Sequence, residues 1–113
     1  MELTEKEKKI RKETRRLKGL FKGLEPNKLK AADTLIDRAA YITVSLQELE
    51  AELNATGWTE EYTNGRNQSG IKKSAAAEAY NSLTKNLTTI MKQLLELVPP
   101  EQKKSRLGEM MGQ

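Results

Sequence analysis

Two long segments with helical apolar periodicity flank a short polar segment, and this arrangement constrains the fold more than any other feature. In residues 26–56 and 74–98, apolar side chains recur at alternating intervals of three and four, the period of an amphipathic helix. Residues 57–73 lack that period, so the chain is predicted to form an antiparallel helical hairpin with this polar segment at its tip. Asn64-Gly65 is the strongest short signal for a β-hairpin, and a small β-hairpin or an ordered loop fits the tip equally well.

The boundaries of the two long helices carry residues that suit helix ends. Pro26 fits the first turn of a helix, and Gly57 is placed to end the helix that follows. Ser74 is a good N-cap residue for the second long helix, which Pro99-Pro100 should stop. At 1.5 Å per residue, we expect the first of these helices to be roughly 40 Å long.

A basic amphipathic segment precedes the hairpin, and residues 4–24 are predicted to form a helix. Thr4 and Glu7 match the spacing of a capping box at its start. Its apolar stripe is narrow, so we expect it to dock by that stripe and leave its basic face in water. The sequence therefore predicts one all-α domain over residues 1–100 and a flexible C-terminal tail over residues 101–113.

Composition excludes several classes of chemistry. The 113 residues contain no Cys and no His, which removes disulfides, thiolate metal sites and the commonest general base. We therefore expect neither an enzyme nor a cofactor or metal. The first residues lack the apolar core of a signal peptide, and no apolar run reaches the roughly 20 residues that span a bilayer. We expect a cytoplasmic protein without a membrane partner.

Positive charge is concentrated at the start of the chain. Residues 1–30 hold eleven of the 20 Lys and Arg residues and five of the 16 acids, whereas residues 31–60 hold one basic and six acidic residues. Clustered Lys and Arg suit contacts with a phosphate backbone. The first predicted DNA-binding set lies in the N-terminal helix: Lys8, Lys9, Arg11, Lys12, Arg15, Arg16, Lys18 and Lys22. A second set lies at the tip: Arg66, Lys72 and Lys73.

Both basic sets also have a structural interpretation, since charged residues commonly do no more than keep a helix face or a turn soluble. Residues 65–74 nearly match a phosphate-binding loop, but Ile71 separates the second Gly from the Lys, and the segment before it is too polar for a buried strand. A helix-turn-helix needs two short helices, and the first 25 residues hold one. The sequence thus predicts DNA contact without a recognisable base-reading motif.

The apolar faces of the two long helices are wider than one hairpin can bury. A small domain with surplus apolar surface is expected to self-associate. The residues predicted to form that interface are Leu35, Ile42, Leu46, Leu49, Leu87, Ile90 and Leu94. The alternative is that they form the core of a monomeric hairpin.

A set of short residue groups is spread over most of the chain, from about residue 8 to 98: Lys12-Glu13-Thr14-Arg15-Arg16-Leu17-Lys18, Ala39-Ala40-Tyr41, Glu61-Tyr62, Asn64-Gly65, Asn67-Gln68, Gly70, Lys72-Lys73-Ser74, Glu78, Tyr80-Asn81, Lys85-Asn86 and Leu94-Leu95. In these residues the chain resembles the small terminase subunits of tailed bacteriophages and prophages of Gram-positive hosts. Many members of that family begin with a compact helix-turn-helix, and this chain departs from them in having room for one basic helix.

The resemblance implies a non-catalytic protein that assembles as a ring, binds double-stranded viral DNA, and recruits and regulates a large terminase subunit with ATPase and nuclease activity. Its place would be the cytoplasm of an infected bacterial host. The docking segment for the large subunit is expected in the tail, from Lys103 to Met111. The alternative function is a helical oligomeric adaptor or regulator that binds protein and not DNA.

Overall fold

The fold comes from a computed structural model that describes residues 2–63, 65 and 68–112. In these residues the chain forms four α-helices, one two-stranded antiparallel sheet and a 3₁₀ turn at Pro100–Gln102. In chain order the elements are α1 (Glu5–Phe21), α2 (Pro26–Thr56), β1 (Thr59–Thr63), β2 (Ser69–Lys73), α3 (Ala75–Glu96) and α4 (Lys103–Met110). The mainly helical fold confirms the prediction of an all-α class, to which the structure adds the small sheet.

Local sequence signals account for where these helices begin and end. At the start of α1 the Thr4 hydroxyl accepts the Glu7 N–H at 3.0 Å, and the Glu7 carboxylate accepts the Thr4 N–H at 3.1 Å, which confirms the capping box. Pro26 opens α2, and Gly57 ends it with a φ of 86° that other residues rarely adopt. Ser74 caps α3 by accepting the Ala77 N–H at 3.1 Å.

α2 is the central helix of the molecule, since it contacts α1 on one side and α3 on another. The main core lies where α1, the first half of α2, the end of α3 and α4 meet. Its buried members are Leu17, Phe21, Ala32, Ile36, Ala39, Leu94, Val98 and Met110. The alanines in α2 allow the close helix packing expected of small residues at a contact.

The C-terminal tail differs from its prediction as a flexible segment. After the 3₁₀ turn, α4 folds back and contacts both α1 and α3, and Met110 is 1% exposed in the main core. Pro99 and Pro100 do end α3, as predicted, but Pro100 also begins the turn that redirects the chain. The tail therefore completes the core by burying an apolar side chain that the sequence alone left without a partner.

The tip is a β-hairpin, which decides between the two structures that the sequence allowed. β1 and β2 pair over five residues each, from Thr59 opposite Lys73 to Thr63 opposite Ser69. Asn64 lies outside the described residues, whereas Gly65 has a φ of 80° in the turn. Nine of the ten strand residues are exposed, and only Gly70 is half-buried.

The molecule is elongated, with extents of 62 × 38 × 24 Å and a radius of gyration of 18.1 Å. A compact chain of this length would have a radius of gyration of about 13 Å. The N-terminal end of α1 reaches Glu48 of α2, where Lys6 Nζ lies 2.9 Å from the carboxylate. We call residues 49–83 the arm, which holds the end of α2, the hairpin and the start of α3, and we call the rest the body.

Candidate nucleic-acid interface

The outer face of α1 carries a row of basic side chains. Leu17 and Phe21 point into the core, and the helical period places the basic residues on the opposite side. The members of this outer basic face are Lys8, Arg11, Lys12, Arg15, Lys18 and Lys22, all of which are exposed. From first to last they span 14 residues, or about 21 Å along the helix axis. α1 thus presents a straight, positively charged edge of the body.

Most of this face is free of acidic partners. Lys8 pairs with Glu5 at 3.3 Å, and such exposed pairs hold each other weakly. Among ion pairs within the described part of the chain, none involves the other five members of the outer basic face. Asp37 of α2 lines a groove beside Arg11, Arg15 and Lys18, and no ion pair joins it to them in the described part of the chain. These cations are therefore available to an external polyanion.

Glu7, one of the acids near Arg11, is engaged in the helix cap. Hydrogen bonds from the backbone and side chain of Thr4 hold the pKa of Glu7 below its usual value, and the charge of Arg11 adds to this shift. Glu7 therefore remains ionised at neutral pH and faces the first turn, where a negative charge also suits the helix dipole. It partly offsets the positive potential at the start of α1 and leaves the region after Glu13 strongly basic.

Arg16 has a structural role that differs from its predicted contact with DNA. Its Nε and Nη2 donate to the two Glu13 carboxylate oxygens at 2.7 and 3.0 Å. Nη1 donates to the Glu109 carbonyl at 2.8 Å, and Nη2 donates to the Met110 carbonyl at 2.9 Å. The bond to Glu13 raises the pKa of Arg16. Since four of five guanidinium N–H groups are engaged, Arg16 fastens α4 to α1.

Lys9 lies on the flank of α1 beside the side chains of α2. It lines a shallow groove of about 450 Å³ together with Lys12, Thr43, Val44 and Gln47. Lys9 is exposed, so it extends the outer basic face toward α2.

The cations of the tip hairpin form a second, weaker candidate for contact with DNA, separate from the outer basic face. Lys72 Nζ lies 3.6 Å from the Glu60 carboxylate and 6.0 Å from the centre of the Tyr62 ring. Lys73 is exposed and opposes Thr59, and Arg66 lies outside the described residues. α2 continues eight residues beyond Glu48, or about 12 Å, before the chain enters the hairpin. The structure therefore does not bring Lys72 and Lys73 together with the outer basic face of α1.

The residues predicted to mediate self-association fall into two groups. The first group is buried within the single chain: Ile42, Leu46 and Leu94. The second group is half-buried: Leu35, Leu49, Leu87 and Ile90. The prediction treated the hairpin as two helices only, whereas α1 covers another side of α2 and α4 covers the end of α3. The first group therefore has a core role that differs from the predicted interface role.

The described residues of segment 65–74, which nearly matches a phosphate-binding loop in sequence, do not form such a loop. Residues 69–73 form β2, with Lys72 and Lys73 on the strand and Ser74 capping α3. The described residues hold no group of three or more acidic side chains suited to a metal ion. Within the same residues, no helix is long and apolar enough to cross a membrane.

The aromatic residues of the arm form its internal support and its most apolar surface. Trp58 and Tyr80 meet edge to face with ring centres 5.5 Å apart, and the Tyr80 hydroxyl donates to the Glu50 carboxylate at 2.9 Å. Large apolar side chains are nevertheless exposed here, including Tyr62 at 41% and Ile71 at 72%. A hairpin without a covering element exposes such side chains on one face or both.

Neither a protein-family model, nor a curated protein, nor a solved structure matches this chain. The functional conclusion therefore depends on the surfaces described above and on the residue pattern of the sequence.

Proposed function

We propose that this chain is a non-catalytic DNA-packaging protein of the terminase small-subunit type, which self-associates, binds viral DNA and recruits a packaging motor. The observation that carries the proposal is the outer basic face of α1, five members of which have no acidic partner within the described residues. The terminase-like residue pattern supplies the biological setting.

A single α1 can contact only a few phosphates. A 21 Å row of cations is long enough to follow part of a DNA groove, and each neutralised phosphate releases counterions and gains affinity. Several copies in one assembly bring several such rows to the same duplex. Because linked contacts bind at high effective concentration, weak contacts then give useful affinity without a base-reading motif.

DNA binding is tested by measuring the affinity of the full chain for a short duplex by fluorescence anisotropy over a range of salt concentrations. We expect the triple variant Arg11→Gln, Arg15→Gln, Lys18→Gln to flatten the slope of log affinity against log salt by about 2 to 3. The matched control is Lys85→Gln, Lys92→Gln, Lys104→Gln, which removes three exposed lysines elsewhere. Equal slopes for both variants and the unchanged protein would contradict the proposal.

Recruitment of the large subunit is assigned to the outer side of α4. Leu107 is 39% exposed and Met111 is 61% exposed, although the neighbouring Met110 is buried. This places an apolar pair at the surface of an otherwise polar segment, as expected of a small protein-docking site. We expect Leu107→Ser to weaken capture of the purified large subunit while leaving DNA affinity unchanged.

The alternative is a helical adaptor that binds protein and not DNA. The observation that favours it is the exposed apolar surface of the arm, where Ile71 is 72% and Trp58 is 48% exposed. The salt series separates the two functions, since an adaptor would show no salt-dependent affinity for the duplex even at low salt.

A further inference from the structure

We propose that the tip hairpins of neighbouring copies pair edge to edge, with β1 of one copy beside β2 of the next. This inference depends on the self-association included in the proposed function, and it names the surface that joins the copies. The ligand of the hairpin is therefore a second copy of this chain.

Both outer edges of the hairpin are open to another strand. The sheet has two strands, so each strand has one side that no other described strand covers. The Ser74 N–H donates to the Trp58 carbonyl at 3.0 Å, which makes Trp58 and Ser74 a hydrogen-bonded pair at the root of the hairpin. Hydrogen-bonded and non-hydrogen-bonded pairs alternate along an antiparallel ladder. The backbone N–H and C=O groups of the pairs Glu60–Lys72 and Tyr62–Gly70 therefore also point toward the other strand of the hairpin.

The remaining strand residues direct their backbone N–H and C=O groups outward. On β1 these residues are Thr59, Glu61 and Thr63, and on β2 they are Ser69, Ile71 and Lys73. Each edge therefore offers three donors and three acceptors at the spacing that a neighbouring strand requires. A strand added to such an edge is held by main-chain hydrogen bonds, while side chains select the partner.

Charge on the hairpin is divided between its strands. β1 carries both acids, Glu60 and Glu61, whereas β2 carries both bases, Lys72 and Lys73. If β1 of one copy pairs with β2 of the next in the register of the hairpin itself, Glu60 lies between two lysines, its own Lys72 and that of the next copy. Glu60 and Lys72 are both about half exposed, so each can accept a second partner.

Two-fold pairing of identical edges is disfavoured by the same charges. Two β1 edges centred on Glu61 would place four carboxylates in one short interface, with one Glu61 directly opposite the other. Two β2 edges centred on Ile71 would gather four lysines in one short interface, where each Lys72 would lie opposite Gly70 and each Lys73 opposite Ser69 of the other copy. Like charges directly opposite each other in a sheet are destabilising, so the hairpin selects the unlike edge. Head-to-tail pairing of unlike surfaces builds rings when it closes, whereas two-fold pairing stops at a dimer.

Protection against aggregation does not explain this division of charge. Charged side chains on an edge strand often serve to repel other strands, and lysines are common in that role. A protective hairpin would carry charge of one sign on both edges, because unlike edges attract further copies. Here the outward-facing residues also include Ile71, which is 72% exposed and would be covered by side chains of the adjacent strand.

The face of the hairpin that carries Tyr62 and Gly70 has room for the pairing. The Tyr62 ring lies against Gly70, where an added Cβ would come within 3.0 Å of the ring. In the proposed register the same Tyr62 also faces Gly70 of the adjoining copy, so neither neighbour obstructs the ring. An isolated two-stranded hairpin is marginally stable in water, and additional strands would stabilise it.

The inference is tested with two single-cysteine proteins, Thr63→Cys and Ser69→Cys, because the natural chain has no cysteine. These outward residues would be directly opposite across the interface, with Cα atoms about 5.5 Å apart, within the range that a disulfide spans. The two full-length variants carry different tags, are co-expressed and are oxidised mildly. We expect about tenfold more covalent dimer from the pair than from either variant alone, since only unlike edges meet.

Three results would overturn the inference. If each variant alone forms as much covalent dimer as the co-expressed pair, identical edges meet and the pairing is two-fold. A co-expressed pair that assembles, by light scattering, but does not cross-link would exclude the hairpin edges and leave the proposed function intact. A pair that remains monomeric would remove both proposals.

A proline provides an independent measurement on the unlabelled chain. Ile71→Pro removes an outward N–H without removing a hydrogen bond of the hairpin, and Ile71→Thr is the matched control that keeps the N–H. We expect Ile71→Pro to reduce the assembled fraction at least about tenfold relative to Ile71→Thr, because it removes a ladder bond and obstructs the incoming strand. Equal assembly of the two variants would contradict edge pairing.

Discussion

The body and the arm use apolar residues in opposite ways. In the body, Leu17 and Phe21 are each 2% exposed and meet side chains from three other helices. In the arm, Tyr62 and Ile71 are 41% and 72% exposed on a hairpin whose two strands pair with each other and with no third strand among the described residues. The body therefore holds most of the large buried side chains, whereas the arm extends a small, chemically distinctive surface away from it.

The difference also separates the two proposed activities. The outer basic face lies on α1 of the body, and the charge-divided hairpin lies at the end of the arm. A substitution on α1 can therefore weaken DNA contact without removing the contact between copies, whereas a substitution on the hairpin that separates the copies should also lower DNA affinity by removing the linked contacts.

The largest expected effect comes from removing the biggest buried side chain of the body. Phe21→Ala should lower the free energy of unfolding by about 3 to 5 kcal/mol, because it leaves a cavity among packed residues. Ile71→Ala in the arm should change it by less than about 0.5 kcal/mol. Urea denaturation of both variants checks this contrast, and a similar loss for each would mean that body and arm form one core.

A smaller and more local effect is expected at Leu53, which is 2% exposed in the arm. Leu53→Ala should cost about 2 to 3 kcal/mol, because the side chain is large and buried. Hydrogen exchange should show faster opening of α2 after residue 49 while amides around Leu17 keep their protection. Uniformly faster exchange throughout the chain would show that the arm does not open separately.

The attachment of α4 can be removed without emptying the core. Arg16→Ala loses the hydrogen bonds to the carbonyls of Glu109 and Met110, and we expect a loss of about 1 to 2 kcal/mol together with faster exchange in α4. Arg15→Ala is the matched control, since Arg15 is exposed on the next position of the same helix. Indistinguishable exchange of α4 in the two variants would contradict the role assigned to Arg16.

The smallest effect concerns pH at the start of α1. Because the folded pKa of Glu7 is depressed by the bonds from Thr4, its stabilisation is complete above the usual carboxyl pKa of about 4.3 and is lost as pH falls through the folded value. Titration of the Glu7 side chain by NMR should give a midpoint below that of a free glutamate, and Thr4→Pro, which removes the N–H that donates to the carboxylate, should raise it. An unchanged midpoint in Thr4→Pro would mean that the cap does not set the pKa.

The helix ends could be predicted because their signals are local. Thr4 with Glu7, Gly57 and Ser74 each act on backbone groups within four residues of themselves. At the tip, Asn64-Gly65 indicated a β-hairpin but did not separate it from an ordered loop, because so short a signal does not fix how the flanking strands pair.

The attachment of the tail and the fate of the apolar faces could not be predicted because they depend on distant partners. Arg16 and Met110 are 94 positions apart, and nothing near either residue indicates that they meet. For Ile42 and Leu46, the helical period shows that the side chains share a face, but not whether α1 or another copy covers it. The charge division of the hairpin became visible only once the strand register was known.

The most direct test of the account is the solution mass of the full chain, measured by light scattering over a wide range of concentrations. The account predicts a mass well above that of a dimer, at a multiple of the 12.8 kDa chain, and a loss of that assembly in Ile71→Pro. A mass that stays at 12.8 kDa at every concentration would contradict both the ring and the pairing of the arms.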